Sequence, residues 1–156
     1  MAYKIIMVLA ALFALYRLTK SRDAMANLVS LLMIGGVTLV VLGVELLVTI
    51  GLGAFLFGLF IAMVYGAFKI GVPPDMKRVI LGMAILTFPG LLFSTLHLPG
   101  AGWLGLLNVI PLFIYLLIVL PKRKRYAKEW GFLTLIFGEA LVEFSMRMVL
   151  ILDIPL

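Results

Sequence analysis

The sequence predicts an all-α membrane protein, a bundle of about six transmembrane helices with both termini outside and the loops after spans 1, 3 and 5 in the cytoplasm. Three observations predict it. The 156 residues are 65% hydrophobic and 13% charged, with a mean hydropathy of +1.26, whereas a soluble domain carries roughly a quarter charged residues. A chain this small has too much surface to hide that excess in one core, so lipid must be the solvent for most side chains. Apolar stretches of spanning length recur along the whole chain, and basic residues collect between alternate pairs of them. The length allows a single transmembrane domain, residues 1–156, and little else.

A span needs about 20 residues to cross roughly 30 Å of hydrocarbon. The first covers 3–18; it is short, but Tyr3, Lys4, Tyr16 and Arg17 can snorkel to the two interfaces. Arg17, Lys20 and Arg22 behind it outweigh Lys4 in front, opposite to a signal peptide, so it is expected to be retained. The second covers 28–49, with Asp23 or Asn27 as the expected cap. Ile50-Gly51-Leu52-Gly53 supplies the expected turn before the third, 54–70. Val72-Pro73-Pro74-Asp75 breaks the chain again, with Asp75 placed to cap the fourth span, 79–98, which contains Pro89. His97-Leu98-Pro99-Gly100 ends it. The fifth covers 103–120 with Pro111 inside, Pro121 and a basic run stop it, and the sixth covers 130–152.

Eleven of the 13 Lys and Arg fall on three segments: Arg17, Lys20 and Arg22; Lys69, Lys77 and Arg78; Lys122, Arg123, Lys124, Arg125 and Lys128. The loops after spans 2 and 4 have none. Cytoplasmic loops carry the excess of Lys and Arg, so the odd loops face the cytoplasm, as in a plasma membrane. The net charge of +6 is thereby read as membrane anchoring, with no nucleic-acid partner. The run Lys122-Arg123-Lys124-Arg125 is expected to lie against anionic headgroups.

Leucine gains nothing by hiding from lipid, so membrane helices associate through close backbone approach and hydrogen bonds. Ala54, Gly58, Ala62 and Gly66 recur every four residues and form a small-residue face on which a neighbouring helix, of this chain or another copy, should pack. Four charged residues lie within spans: Glu45, Glu139, Glu143 and Arg147. Each costs at least about 2.5 kcal/mol at mid-bilayer unless paired or hydrated. Glu139, Glu143 and Arg147 share one helix face at i, i+4 and i+8. Glu139 comes out about 13 Å beyond Trp130, near the midplane. Arg147 is expected to pair with Glu143 along its own helix and with Glu45 across to the second span. Three carboxylates against one guanidinium leave a surplus that a proton, a cation or a partner's basic group must offset.

His97 stands at the outer end of the fourth span, an interfacial polar group or a pH-sensitive or ligand-binding one. Asn108, three residues before Pro111, is expected to satisfy backbone freed by the proline. With no cysteine, thiol chemistry, disulfides and Cys-ligated metals are excluded, and one histidine cannot make a bis-histidine haem within one copy. No cofactor and no metal site is expected. Gly100-Ala101-Gly102-Trp103-Leu104-Gly105 matches a dinucleotide fingerprint, but lacks the preceding strand that gives it meaning. Glu143-Phe144-Ser145-Met146-Arg147 and Phe93-Ser94-Thr95-Leu96-His97 are similar to motifs of CAAX-processing membrane proteases. They stand in reversed order, with Val142 where the first glutamate belongs, and transfer no activity.

Three function classes follow. The sequence favours an accessory or scaffolding subunit of a membrane complex, partnered by other subunits or by itself. The alternatives are a small secondary transporter or channel coupling protons or cations through its carboxylates, and an intramembrane metal-dependent enzyme built on His97.

Overall fold

A computed structural model describes residues 2–152 of the chain. Those residues are helical throughout, with no strand: α1 (Ala2–Leu18), α2 (Ala24–Leu42), α3 (Glu45–Phe68), α4 (Pro74–Thr95), α5 (Ala101–Leu106), α6 (Val109–Ile114), a π-helical turn (Tyr115–Val119) and α7 (Trp130–Ile151). Four helical stretches are long and apolar enough to cross a membrane: Ala24–Leu42, Glu45–Phe68, Pro74–Thr95 and Ala101–Val119. Their outer faces are apolar as well, with Leu46, Ile50, Phe57, Phe60, Phe113 and Leu117 all exposed. Such a surface is unsuited to water, and it defines an integral membrane protein. The first helix has only 17 residues, and α7 carries Glu139, Glu143 and Arg147, which keeps both out of that apolar set.

The turn between α2 and α3 lies at Gly43–Val44, not at Ile50–Gly53. Gly43 takes a left-handed φ of 75° and its N–H bonds back to the Val40 carbonyl, ending α2 in a conformation that glycine adopts at least cost. Gly51 is instead the partner of Gly36 where α2 and α3 cross. A Cβ added at either would stand 2.6 Å from the other's carbonyl oxygen. The glycines that suggested a turn are a backbone contact within one helix pair. The remaining boundaries shift less: α2 begins at Ala24, capped by Asp23, whose carboxylate accepts from Met25 and Ala26 N–H. Asp75 does not cap α4, which starts with Pro74 in its first turn after Pro73. The fifth span is broken at Leu107–Asn108 into α5 and α6.

The small-residue face of α3 meets neighbours of its own chain. Gly58 lies against Met33 of α2, Gly66 against the backbone and Ile80 side chain at Ile80–Leu81 of α4, and Ala62 is fully buried between them; Ala54 is half-buried. The other organising element is α7, which packs on α1, α2, α4, α5 and α6. It buries Phe132, Leu133, Leu135, Ile136 and Ala140 completely.

Antiparallel order brings the three basic segments to one end. Lys69 bonds Asp23 at 2.9 Å, Arg125 bonds Asp75 at 2.8 Å, and Arg17 donates to the Ala127 carbonyl at 2.5 Å while lying 5.0 Å over the Trp130 ring. Buried Tyr126 holds the exposed run Lys122–Arg125 onto the bundle.

Two predictions follow from these contacts. Gly36→Ala should destabilise by about 2 kcal/mol, because the new methyl group meets backbone that cannot move aside. Gly53→Ala, facing open space, should be neutral or stabilising by up to about 1 kcal/mol; equilibrium unfolding in mixed micelles measures both. For Asp23, burial alone would raise the carboxyl pKa, but Lys69 and the two cap N–H groups outweigh it and hold the value below the ordinary 3.8. A depressed folded value means the contribution is complete above the ordinary value and is lost as pH falls through the folded one. Melting temperature measured between about pH 7 and about pH 3 should therefore fall more steeply in the wild type than in Asp23→Asn.

Candidate functional site

At the end opposite the basic loops, α1, α2, α3, α4 and α7 enclose a cavity of about 610 Å³. Each element contributes through the terminus that antiparallel packing brings there: Lys4 and Met7 of α1, Val40 and Val41 of α2, Glu45 and Thr49 of α3, Ser94 and His97 of α4, and Glu139 and Glu143 of α7. Glu45, Glu139, Glu143 and His97, chosen from sequence on separate grounds, thus share one cavity. Arg147 stands behind its wall.

The ion pair is built on one oxygen. Arg147 donates from Nε (3.1 Å) and Nη2 (2.9 Å) to Glu143 Oε1, and Ser94 Oγ donates to the same oxygen at 2.5 Å. Arg147 Nη2 also reaches Ser94 Oγ at 2.6 Å, tying α7 to α4. Gly105 of α5 allows this: a Cβ there would stand 2.8 Å from Arg147 Cγ and 3.0 Å from Glu143 Oε1. Glu45 takes no part. With the turn at Gly43 it opens α3 at the exposed rim, so the expected Arg147–Glu45 pair does not form. Glu143 carries that interaction alone, with Ser94 in the place expected for a second carboxylate.

One helical turn deeper, Glu139 is 9% exposed and lines the cavity floor, with no hydrogen-bond or salt-bridge partner among the described residues. The charged and titratable groups on the surrounding elements are Tyr3 and Lys4 on α1, Glu45 on α3, His97 just after α4 and Glu143 on α7; α2 presents none. Lys4 Nζ is engaged with the Val41 carbonyl at 3.4 Å. Phe55, Val37, Leu91 and Val142 make the walls largely apolar.

His97 ends α4 in a left-handed conformation, φ 52°, which suits glycine and is tolerated by histidine. Its N–H bonds to Ser94 O and the Leu98 N–H to Phe93 O, the paired bonds of a Schellman cap. The cap fixes His97 at the cavity rim, exposed. Among the described residues no three His, Asp or Glu side chains converge closely enough to hold a metal ion.

Asn108 does not serve the backbone at Pro111. The Leu107 carbonyl that the proline would strand is taken by Ile110 N–H at 3.0 Å, and the fully buried Asn108 amide has no protein partner at either atom. Its Nδ2 lies beside Gly90, one turn from Thr87, whose buried hydroxyl is also unpartnered. Sequence reasoning passed over Ser94, because serine in a membrane helix commonly bonds its own backbone. It also passed over Glu129, which lies in a lysine-rich loop yet is 2% exposed and accepts from Tyr65 OH at 2.7 Å.

The chain matches no protein-family model, no curated protein sequence and no solved structure. Its assignment beyond an integral membrane protein rests on the site.

The ion pair supplies a prediction. Arg147→Met strands the buried Glu143 carboxylate and should destabilise by about 3 kcal/mol, while the double variant Glu143→Leu/Arg147→Met should recover most of it. Unfolding of the four members of this mutant cycle in mixed micelles measures the coupling.

Proposed function

We propose that this protein is a small secondary carrier of the plasma membrane, with six crossings and the basic loops in the cytoplasm. It binds its solute in the outward-facing cavity, and Glu139 exchanges a proton for a cation. The observation that carries this reading is the cavity that reaches Glu139, a buried carboxylate with no protein partner among the described residues. A carboxylate placed for packing alone would be closed off by donors, as Glu143 is by Arg147 and Ser94. Glu139 is instead free to take a proton or a cation from whatever enters.

Two features support the six crossings. α1 packs along α2 and α7, turning Met7, Ala10 and Ala14 inward and Ile5, Leu9 and Leu12 outward, as a lipid-facing helix does. α7 is covered by five other helices, so its three charges do not need an apolar sequence around them. The gathering of three basic segments at one end supports a cytoplasmic location for that end and contact of Lys122–Arg125 with anionic headgroups, at about 1 kcal/mol per charge.

The scaffolding reading drew on the near-absence of loops, a small-residue face and an uncompensated charge sum. That face is occupied within the chain, and the surplus charge opens on a cavity, so the carrier reading is better supported. The metal-enzyme reading has no convergent ligand set behind it among the described residues.

Purified protein in proteoliposomes, with an imposed proton gradient and an internal pH dye, tests the proposal. The wild type should dissipate the gradient faster than empty vesicles when solute is present, and Glu139→Gln should reduce the rate to that of empty vesicles. A Glu139→Gln rate equal to the wild type would remove Glu139 from the transport step, and no wild-type flux with any cationic solute would remove the carrier reading.

A further inference from the structure

We infer that the cavity accepts a monovalent organic cation with a bulky apolar body, held by Glu139 at its floor. The inference rests on the cavity described above and deepens the carrier reading by naming the chemical class of its solute.

Charge comes first. Glu143 is neutralised by Arg147 at 2.9 Å, and Lys4 is engaged at the rim with the Val41 carbonyl. Glu45 is exposed at the mouth, where water can solvate it. That leaves Glu139 as the cavity's buried carboxylate without a partner among the described residues, and a single positive charge matches it. An anion would meet the unpaired carboxylates of Glu45 and Glu139, with Lys4 as the cation on the cavity lining to offset them.

The walls then decide what kind of cation. A small inorganic ion needs several oxygen ligands to replace its hydration shell, and no third His, Asp or Glu converges on any pair here among the described residues. A sugar or other polyhydroxyl solute would need a hydrogen-bonding partner for nearly every hydroxyl it buries. Around Glu139 the structure offers Met7, Val37, Phe55, Leu91 and Val142 instead. Apolar walls with one ionised group at the end suit a solute whose body is hydrocarbon and whose polar part is one charge. Phe55 adds an aromatic face that can receive a cation, and Met7 supplies an adaptable thioether. The volume, about 610 Å³, is that of a cavity for a drug-sized molecule, much larger than a simple alkylammonium requires.

Full-length protein in lipid nanodiscs tests this, with tetraphenylphosphonium as the probe and empty nanodiscs subtracted. Tetraphenylborate, of the same shape and opposite charge, is the control. The wild type should bind the phosphonium saturably at one site per chain and should not bind the borate saturably. Glu139→Gln should weaken binding by about thirtyfold or more, the effect of removing one member of a desolvated charge pair. Val40→Phe, which narrows the cavity and leaves every charge in place, should weaken it as well. It also serves as the test should Glu139→Gln fail to fold.

Equal binding of the two probes, unchanged binding in folded Glu139→Gln, unchanged binding in folded Val40→Phe, or no binding by the wild type would each overturn the inference. The two readings also separate from one another. Glu139-dependent proton flux without phosphonium binding would leave the carrier standing and remove this solute class. Glu139-dependent binding without flux would leave the ligand class standing and remove the carrier.

Discussion

Everything in this molecule follows from keeping the charges of α7 out of hydrocarbon. A guanidinium and two carboxylates on one helix would cost several kcal/mol if that helix faced lipid. The fold removes the cost by position: α1, α2, α4, α5 and α6 surround α7, so its polar stripe meets protein and a cavity. Ala24–Leu42, Glu45–Phe68, Pro74–Thr95 and Ala101–Val119 need no polar stripe and are long and apolar enough to cross by composition alone. Glycines at the crossings allow this enclosure in a short chain, because Gly36 on Gly51 and Gly105 on Arg147 bring backbone where a side chain would otherwise hold the helices apart.

The helical class and most of the helix ends were legible because they depend on local facts. Runs of apolar residues, prolines and charged loops act over a few residues, and α7 begins at Trp130 as expected. What was not legible was the role of a glycine. Gly43, Gly51 and Gly53 stand within eleven residues, in equally apolar surroundings. One ends a helix at positive φ, one meets another backbone, and one faces open space. Those roles are set by the neighbouring helix, and a single sequence does not contain the neighbour. Misplacing that turn put Glu45, which stands exposed at the mouth, inside a span and so created an ion pair that the structure does not have.

The site was legible in a similar way, up to the point where partners had to be named. Spacing along α7 is enough to put Glu143 and Arg147 in contact, since residues four apart on a helix are neighbours. Depth and distance from Arg147 marked Glu139 as the carboxylate most in need of company. The cavity itself was beyond reach, because it is the space left between five helices. So was Ser94, which takes part only because α4 runs parallel to α7 and its last turn lies at the level of Arg147.

The two carboxylates of α7 are separated by a single turn and have opposite environments. Glu143 has three donor contacts on one oxygen and anchors α7 to α4. Glu139 has none, although it is as deeply buried. Arg147 can reach one of them, and Ser94 fixes which. The hydroxyl binds both the guanidinium and Glu143, so turning Arg147 inward toward Glu139 would break two contacts to α4 and α7 at once. Below this clamp the α4 face continues through Gly90 and Thr87, where the Asn108 amide and the Thr87 hydroxyl are buried without partners. An unsatisfied buried polar group costs about 1–3 kcal/mol. α4 is thus tied to α7 at the Ser94 clamp, while one turn below, where α4 meets α5 and α6, two polar groups stand without protein partners among the described residues. They lie at the level of Glu139, the buried carboxylate that likewise has no partner among the described residues.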